Sequence, residues 1–527
     1  MLLALAQSPR RAWQGLVALL QGRRLRSWNL ICAAAADSPY YYRRWIADCE
    51  PRIVADWMAL SSGSPASFPA LTVLIASRSG SRQAERAADT LRLRHGSTLD
   101  VRCAPDGWLQ SDFLRAIAAE RVGGWLLPLF DDDNLAPAFF AALPELGNSA
   151  EALVYWDEDR VEEGERCDPW LKPDWDPLLF AAQGGLVGSA MLRADAVERV
   201  LTDIGDGDPA DVLHALCLAV GSIGARHIPM ILTSRSGAPK PLQQVALPDP
   251  LAWPSVSIIV PTRDMSEYLA TCLSGISRLQ YRGELETIVV DNGTVDPRAL
   301  ALQDEFAKSG AGSVVSMPGP FNFSALNNAA VRNATGEMLC LLNNDVEPVD
   351  GEWLTILVRH AMQAEVGAVG PMLLYPDQTV QHAGVAIGIG GAAGHVQKGM
   401  VPDDPRHRWW TAATRRVSAV TAACLVVRRD RFLAAGGFDE RQFAVAFNDV
   451  DLCLKLDRCG WHNRYVAEAR LIHHESKSRG RDDSPEKQRR FAGELEGLQR
   501  NWRTEGFRDP WYSPLFSRAS ERCLLQF

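Results

Sequence analysis

The most constraining feature of this chain is an apolar run that ends abruptly in polar side chains, within MLCLLNNDVEP at Met338 to Pro348. The run is too short for a helix of its own and is typical of a fully buried parallel strand. Ligands of open α/β sheets bind at the carboxyl ends of such strands. Asp345 therefore stands where a divalent metal and a phosphorylated ligand could be held. Asn343, Asn344 and Asp345 could instead form only a turn, since Asn and Asp are common turn formers.

The same succession of strand, helix and an apolar strand ending in acids occurs twice. The first copy has apolar runs at Leu71 to Ser77 and at Gly124 to Phe130, and the second of these ends in three aspartates. The second copy has Val256 to Val260, Glu286 to Val290 and the run described above. Alternating strands and helices predict an α/β fold. An internal repeat, whose copies differ in their polar residues, is the economical description.

A length of 527 residues suggests two sizeable domains with extensions. Ser61 to Ala70 is typical of a linker, and the proline-punctuated stretch from Ser236 to Pro254 marks a second boundary. We therefore expect four parts, which are a basic amphipathic helical extension over residues 1–60, a first α/β domain over 70–240, a second over 255–482 and a helical carboxyl-terminal extension over 483–527.

The composition indicates the compartment and excludes some partners. A formal net charge of -9 argues against nucleic acid as a partner of the whole chain. Eleven scattered cysteines without a CxxC pair favour a reducing, cytoplasmic compartment. No window offers the roughly 18 apolar residues of a membrane span, and the first residues lack the pattern of a signal peptide.

The first 60 residues place Leu, Val and Trp at helical spacing beside a set of arginines: Arg10, Arg11, Arg23, Arg24 and Arg26. A basic amphipathic segment can lie on an anionic membrane surface, which here would be the inner face of the cytoplasmic membrane. It can equally be a helix docked on its own domain. The sequence leaves both alternatives open.

Several polar residues elsewhere are candidates for a site. Asp291 ends a predicted strand, where its carboxylate could accept from a base or ribose, although Asp-Asn-Gly also favours a turn. Ser324 lies near a helix start that could attract phosphate or simply be capped. Asp449 lies in the first turn of a helix that Asn448 could cap, and its carboxylate could face the crevice as a general base, although a carboxylate is also favoured in a first turn without any catalytic role. Adjacent histidines on a strand face opposite ways, so one of His473 and His474 at most can join a metal site.

Seven motifs occur in a characteristic order: VSIIVPTRD, ETIVVDNGT, LLNNDVEP, TAACLVVRRD, GGFDE, FNDVDLCLKL and HHESKSRG. In this order, the stretch from about Val256 to Arg481 resembles the family-2 glycosyltransferases, which have the GT-A fold, a Rossmann-like nucleotide-sugar-binding fold. It is most similar to the bacterial branch that assembles O-antigen and related surface polysaccharides, including rhamnosyltransferase-like members.

The resemblance implies a role for each matching residue. Asp291 would contact the nucleobase of a nucleoside-diphosphate sugar. Asn343 and Asp345 occupy the first and last positions of the DxD motif, with Asp345 as the ligand of Mn²⁺ or Mg²⁺. Asp449 matches the general base, and His473 matches a histidine that touches the metal or diphosphate in some members. The remaining implied contacts are Pro261, Thr262, Arg263, Ser324, Asn327 and Asn344 for the donor and Gly437, Phe438 and Asp439 for the acceptor.

Two positions depart from the wider family pattern. Asn343 replaces the first Asp of DxD, which removes a negative charge beside the metal, and Asn448 replaces the Glu that precedes the base. Neither change removes the residue that performs the chemistry.

The first α/β domain resembles a second, degenerate copy of the same GT-A-like domain. Phe130 stands where the first DxD aspartate would be, and Pro209 lies close to the position of the base. We expect this copy to be non-catalytic and to serve as a platform or acceptor-binding domain. Asp132 and Asp133 keep residual activity open as an alternative.

The function implied is an inverting, metal-dependent transfer of a hexose or deoxyhexose, with rhamnose as one candidate. The donor would be a nucleoside-diphosphate sugar and the acceptor a saccharide or lipid-linked saccharide, in O-antigen-like surface polysaccharide biosynthesis. The alternative is a catalytically silent saccharide-binding or scaffold subunit, in which Asn343 and Asn448 mark lost function.

Overall fold

The computed structural model describes residues 2–527 except for 37, 39, 62–69, 78–79, 96–98, 121–122, 237–242, 244, 403, 405–407 and 475–483. Most of the predicted linker at Ser61 to Ala70, part of the second boundary segment and the end of the HHESKSRG motif therefore lie outside the described residues. In the part that is described, no helix combines the length and the apolar character needed to cross a membrane.

The amino-terminal part is helical, as the sequence predicts. Its helices are α1 (Leu2–Gln7), α2 (Pro9–Leu20), α3 (Arg24–Ala36), α4 (Tyr40–Asp48) and α5 (Glu50–Ser61). The indole Nε1 of Trp45, on α4, donates to the carbonyl oxygen of Gln526 at 2.9 Å, and the Trp45 side chain is fully buried. α4 is therefore docked on the carboxyl-terminal segment of the chain.

The first sheet lies between residues 71 and 235. Its strands are β1 (Leu71–Ala76), β2 (Asp100–Cys103), β3 (Trp125–Phe130), β4 (Asp133–Leu135), β5 (Leu153–Glu162), β6 (Glu165–Trp170), β7 (Ala190–Arg193) and β8 (Ala225–Arg235). The helices between them are α6 (Ser81–His95), α7 (Ser111–Ala119), α8 (Pro137–Gly147), α9 (Pro177–Gln183), α10 (Ala194–Val200) and α11 (Pro209–Gly221). The strand order is β2-β1-β3-β7-β5-β8-β4, with β6 paired to β5.

The second sheet lies between residues 256 and 473. Its strands are β9 (Val256–Thr262), β10 (Leu285–Asp291), β11 (Ser313–Ser316), β12 (Met338–Leu342), β13 (Val346–Pro348), β14 (Val366–Leu374), β15 (Val380–His382), β18 (Arg415–Val417), β19 (Cys424–Arg428) and β20 (His462–His473), while β16 (Val385–Ile387) and β17 (Ala393–His395) form a separate hairpin. The helices are α12 (Ser266–Ser277), α13 (Pro297–Lys308), α14 (Phe323–Asn333), α15 (Trp353–Ala361), α16 (Arg408–Thr411), α17 (Arg429–Ala434) and α18 (Asn448–Arg458). The order is β11-β10-β9-β12-β19-β14-β20-β13.

The two sheets share one order of strands, and β11 is an addition at the edge of the second. Parallel and antiparallel pairs also correspond throughout. In both sheets a short strand after the polar turn pairs antiparallel with the last long strand, so Asp133 lies opposite Arg235 and Val346 lies opposite His473. The predicted α/β class with two sheets is confirmed, and Arg235 occupies the register position of His473.

The two α/β parts pack against one another. Leu171 and Ile231 of the first belong to the same hydrophobic cluster as the residues beneath the second sheet. The Oδ1 atom of Asp176 caps α9, and its Oδ2 atom accepts from the backbone N–H of Arg416 at 2.7 Å. One buried carboxylate thus both starts a helix and joins the two parts.

The carboxyl-terminal part begins with α19 (Pro485–Trp502), which confirms the predicted helix, and continues as an irregular segment to Phe527. This segment contacts the glycine-rich turn between β16 and β17. The N–H of Gly390 in that turn donates to the carbonyl oxygen of Arg518 at 2.8 Å. Oγ1 of Thr504 donates to Gly391 in the same turn at 2.7 Å. The segment therefore packs along the second α/β part.

Candidate active site at the carboxyl edge of the second sheet

Several strand ends of the second sheet meet at one edge. The parallel strands β10, β9 and β12 end there with Asp291, Thr262 and Leu342. β19 runs antiparallel to β12, with Cys424 opposite Leu342, so the residues that precede β19 reach the same edge. β20 runs parallel to β14 and also ends there, at His473. Five separate segments of the chain therefore meet at this edge.

Asp345 and His473 are in contact at this edge. Nε2 of His473 lies 3.2 Å from Oδ1 of Asp345, and both side chains are buried. The other ring nitrogen of His473, Nδ1, lies 3.0 Å from Oε1 of Gln381 on β15. His474 faces the other way, with its Nε2 atom 2.9 Å from Oε2 of Glu347. Alternation along the strand thus brings one of the two histidines to Asp345.

The Asp345–His473 pair fits a divalent cation. A carboxylate oxygen suits Mg²⁺ or Mn²⁺, and an imidazole nitrogen suits a borderline divalent metal. Two ligands held cis at about 2.1 Å from an octahedral ion lie roughly 3.0 Å apart, which is close to the 3.2 Å between these two atoms. The contact with Gln381 fixes the orientation of the His473 ring. Metal-binding histidines typically have such a partner at the ring nitrogen that does not face the metal.

The two amides before Asp345 are placed differently. Nδ2 of Asn344 donates to Oγ1 of Thr262 at 2.9 Å, which ties the turn after β12 to the end of β9. The backbone N–H of Asn343 donates to the carbonyl oxygen of Ala423 at 2.9 Å, and the Asn343 side chain is only partly buried. The backbone of residues 343–345 therefore forms the turn that the sequence allowed. The same turn places Asn343 and Asp345 at the carboxyl edge of the sheet.

Asp291 lies at the end of β10 with its carboxylate partly engaged. Its Oδ1 atom accepts from the N–H of Thr294 at 2.9 Å and lies 3.4 Å from Nε2 of Gln303. At the end of β9, Pro261 and Thr262 are buried, whereas the side chain of Arg263, which follows the strand, is exposed. Of these residues predicted to contact a donor, Arg263 is the one with an unburied charge.

The start of α14 differs from the prediction in detail. Asn322 caps the helix, since its Oδ1 atom accepts from the N–H of Ala325 at 2.9 Å. Ser324 is fully buried and its hydroxyl donates to the carbonyl oxygen of Phe443, so it could reach a donor only by breaking that bond. Asn327 is also fully buried, and its Oδ1 atom has no hydrogen-bond partner. An orphaned buried oxygen is costly, which suits a ligand-binding role for Asn327.

Asp449 lies in the first turn of α18, in contact with the segment that precedes β19. Phe447 precedes the helix in a left-handed conformation, so the predicted cap at Asn448 is wrong by one residue. Oδ2 of Asp449 accepts from the N–H of Ala422 at 3.1 Å. Burial raises the pKa of Asp449, and hydrogen bonds from Ala422 and Val450 offset this only in part. The carboxylate is thus a stronger base than an exposed one.

The Gly437 to Asp439 turn lies beside α14 and α18. Gly437 accepts through its carbonyl oxygen from Nζ of Lys455 on α18 at 2.8 Å, and Nδ2 of Asn328 on α14 donates to the carbonyl oxygen of Phe438 at 2.9 Å. Oδ1 of Asp439 accepts from the N–H of Gln442 at 2.9 Å, so one carboxylate oxygen shapes the turn itself. Glycine is required at 437, where φ is +62°.

Two contributors were missed by the sequence analysis. Gln381 carries no signal of its own, because it lies in a short polar stretch, PDQTVQHAG, that matches no recognised motif. Ala422 contributes only a backbone N–H, which no residue type reveals. The TAACLVVRRD motif that contains Ala422 was the available signal, since it includes β19, which begins at this edge.

At the corresponding edge of the first sheet, buried charged side chains pair with one another. Nη2 of Arg235 donates to Oε2 of Glu158 at 2.8 Å, and Nζ of Lys172 donates to the same oxygen at 2.7 Å. Burial raises the pKa of Glu158, but the attraction of Arg235 and Lys172 outweighs it and the pKa is lowered. Arg235 thus lies at the register position of His473, and Lys172 adds a second buried cation beside Glu158.

Comparisons with known proteins agree on the second α/β part. Residues 257–417 match the family described as Glycosyl transferase family 2. The chain is 31% identical over 571 residues to the O-antigen biosynthesis protein RfbC of Myxococcus xanthus, a match that covers 99% of this chain and 43% of that protein. It is 36% identical over 440 residues to an uncharacterized protein, y4gI, of Sinorhizobium fredii, covering 74% of this chain and 48% of that protein.

A third relative matches only a part of this chain. The N-acetylglucosaminyl-diphospho-decaprenol L-rhamnosyltransferase of Mycobacterium tuberculosis is 32% identical over 154 residues, covering 28% of this chain and 50% of that protein. This chain spans about half or less of the length of the relatives that it matches.

Proposed function

We propose that the second α/β part, in which residues 257–417 match glycosyl transferase family 2, is an inverting, metal-dependent hexosyltransferase of the GT-A fold. The donor is a nucleoside-diphosphate sugar that carries a hexose or deoxyhexose, and rhamnose is the first candidate. The acceptor is a saccharide or lipid-linked saccharide of an O-antigen-like surface polysaccharide. Similarity to RfbC along nearly the whole chain and to a rhamnosyltransferase in part of it supports this choice.

One structural connection carries the proposal. Ala422 donates its N–H to Asp449, and the carbonyl oxygen of its neighbour Ala423 accepts from the N–H of Asn343, two residues before Asp345. A single backbone segment therefore holds the proposed base and the proposed metal ligand in a fixed relation. Inverting glycosyl transfer needs such a relation, because its acceptor oxygen and its leaving diphosphate lie on opposite faces of the anomeric carbon.

Each residue of the proposed site has a separate role in the reaction. Asp291, at the end of β10, binds the nucleobase side of the donor, and Asp345 with His473 holds the divalent cation. When bound, this cation supplies neutralisation of the charge that develops on the diphosphate. Asp449 accepts the proton of the acceptor hydroxyl as that oxygen attacks the anomeric carbon. Attack opposite to the diphosphate inverts the anomeric configuration.

We also propose that the first α/β part is non-catalytic. Arg235 occupies the register position of His473, and with Lys172 it places two buried positive charges beside Glu158. A divalent cation held near Asp132 would be repelled by these charges in a poorly solvated site. α11 also opens with Pro209 and Ala210, which offer no side-chain group that can accept a proton, so Asp211 is the first carboxylate within this helix.

The test is the release of nucleoside diphosphate from a panel of UDP-, dTDP- and GDP-sugars, with Mn²⁺ and with EDTA, in the presence of saccharide acceptors. We expect release from the sugars of one nucleotide, only with metal, and its loss in Asp449→Asn. The matched control is Asp132→Ala, at the corresponding edge of the first sheet, which retains activity. Release that persists in EDTA or in Asp449→Asn would contradict the proposal, and a silent scaffold would show no release at all.

A further inference from the structure

The charge of the first 36 residues is opposite to that of the whole chain. These residues contain five arginines and no Asp or Glu, whereas the chain carries a formal net charge of -9. They form α1, α2 and α3, and Arg10, Arg23, Arg24 and Arg26 are exposed. Positive charge is therefore concentrated on one small helical unit of an otherwise acidic protein.

Exposed apolar side chains accompany this charge. On α2, Ala12, Gly15 and Ala18 face inward, and a Cβ at Gly15 would meet Ile31 of α3 at 2.6 Å. The opposite side of α2 carries Trp13 and Leu20, which are 64% and 81% exposed. Trp13 and Leu20 are seven residues apart and therefore lie on one helical face.

α3 adds a second exposed indole, since Trp28 is 51% exposed. Tryptophan is highly buried on average in folded proteins. Two exposed Trp side chains and a Leu beside exposed arginines, within one three-helix unit, are therefore unusual. The combination of exposed indoles and arginines is typical of helices that lie in a membrane–water interface.

The unit is fixed to the rest of the protein. Nδ2 of Asn29 donates to Oε2 of Glu521 at 3.0 Å, and Oδ1 of Asn29 accepts from the N–H of Glu521 at 2.9 Å. Glu521 belongs to the carboxyl-terminal segment that packs along the second α/β part. A surface that bound α2 and α3 would thus hold the whole protein in one orientation.

We propose that the outward face of α2 and α3, defined by Trp13, Leu20, Trp28 and the exposed arginines, binds the surface of a membrane rich in anionic lipids. The indoles and Leu20 enter the headgroup boundary, and the arginines pair with lipid phosphates. Charge complementarity selects this occupant over a second copy of the chain, because two such faces would repel one another. The inference is independent of glycosyl transfer.

The test is flotation of the full chain with vesicles of phosphatidylcholine alone and of phosphatidylcholine with 30% phosphatidylglycerol. We expect binding to the anionic vesicles, weakened by salt, and little binding to the neutral ones. The double variant Trp13→Ser with Leu20→Ser should bind at least tenfold more weakly. The matched control is Trp108→Ser with Leu251→Ser, which removes two exposed apolar side chains elsewhere and should bind as the wild type does.

A second variant separates charge from apolar contact. Arg10→Gln with Arg23→Gln should abolish most of the preference for anionic vesicles, and circular dichroism should show unchanged helix content in every variant. No flotation of the wild type with anionic vesicles would overturn the proposal. Flotation of the Trp13→Ser, Leu20→Ser variant equal to that of the wild type would also overturn it. So would light scattering that shows a dimer formed through this face in a protein that does not bind vesicles.

Discussion

His473 and Asp345 are 128 residues apart in sequence, yet Nε2 of His473 lies 3.2 Å from Oδ1 of Asp345. Pairing of β13 with β20 brings them together, since Val346 lies directly opposite His473 in that ladder. The contact therefore depends on the register of a three-residue strand. A one-residue shift would turn His473 to the other face of the sheet and remove it from Asp345.

Gln381 positions His473 by binding its other ring nitrogen, at 3.0 Å. Loss of such an outer partner typically weakens metal affinity by about 10- to 100-fold. We expect Gln381→Leu to raise the Mn²⁺ concentration for half-maximal activity by about this factor, with kcat unchanged at saturating metal. Gln378→Leu, at an exposed position in the preceding turn, is the control. A fall in kcat without a change in metal requirement would assign Gln381 a different role.

Removal of the carboxylate at Asp449 tests the base directly. A positioned general base contributes about 10²- to 10⁴-fold to rate. Asp449→Asn should therefore reduce kcat by about that factor while the dissociation constant for the donor nucleotide stays unchanged, as measured by steady-state kinetics and calorimetry. Asp451→Asn, two residues further along α18, changes the carboxylate that bonds Nε1 of Trp502 and should keep most of the activity. Wild-type turnover in Asp449→Asn would exclude Asp449 as the base.

The pH dependence of activity should report the same carboxylate. Burial raises the pKa of Asp449, and a base acts only when deprotonated. As pH falls, kcat/KM should therefore decline at a higher pH than the ordinary aspartate value of about 4 would give. The residual activity of Asp449→Asn should lack this acidic limb. An unchanged limb in the variant would assign it to another group.

The buried carboxylate of Asp509 should make the free energy of unfolding depend on pH. Asp509 accepts from the N–H groups of Ile387 and Trp511, and burial raises its pKa to about 6. A raised pKa means that the folded state favours the protonated form, so the stabilisation by Asp509 is greatest below about pH 4 and is lost as pH rises through 6. The loss amounts to about 3 kcal/mol.

The comparison that isolates this effect is wild type against Asp509→Asn, followed as thermal unfolding midpoints from pH 4 to 8. The midpoint of the wild type should fall relative to that of the variant as pH rises across this range. A difference between the two proteins that does not change with pH would contradict the assignment.

Strand ends were predictable from sequence because they depend on local pattern. The apolar run before Asn343 and the run before Asp291 both form strands that end where polarity begins. Alternation along a strand predicted that only one of His473 and His474 could face Asp345. These inferences needed no knowledge of distant contacts.

Contacts between distant segments could not be predicted. Ser324 is near a helix start in sequence, but its hydroxyl binds Phe443, and Asn322 supplies the cap instead. The paired cations of the first sheet were also missed, since Lys172 and Arg235 come together only when β5 and β8 align with the turn before α9. Such networks depend on tertiary register, which local propensity does not encode.

The most direct measurement of the central claim is calorimetric titration with UDP, dTDP and GDP, each with and without Mn²⁺. It compares wild type, Asp345→Ala and the first-sheet control Asp132→Ala. We predict metal-dependent binding of one nucleotide at one site per chain, lost in Asp345→Ala and retained in Asp132→Ala. Binding that needs no metal, or that survives Asp345→Ala, would contradict a donor site at the carboxyl edge of the second sheet.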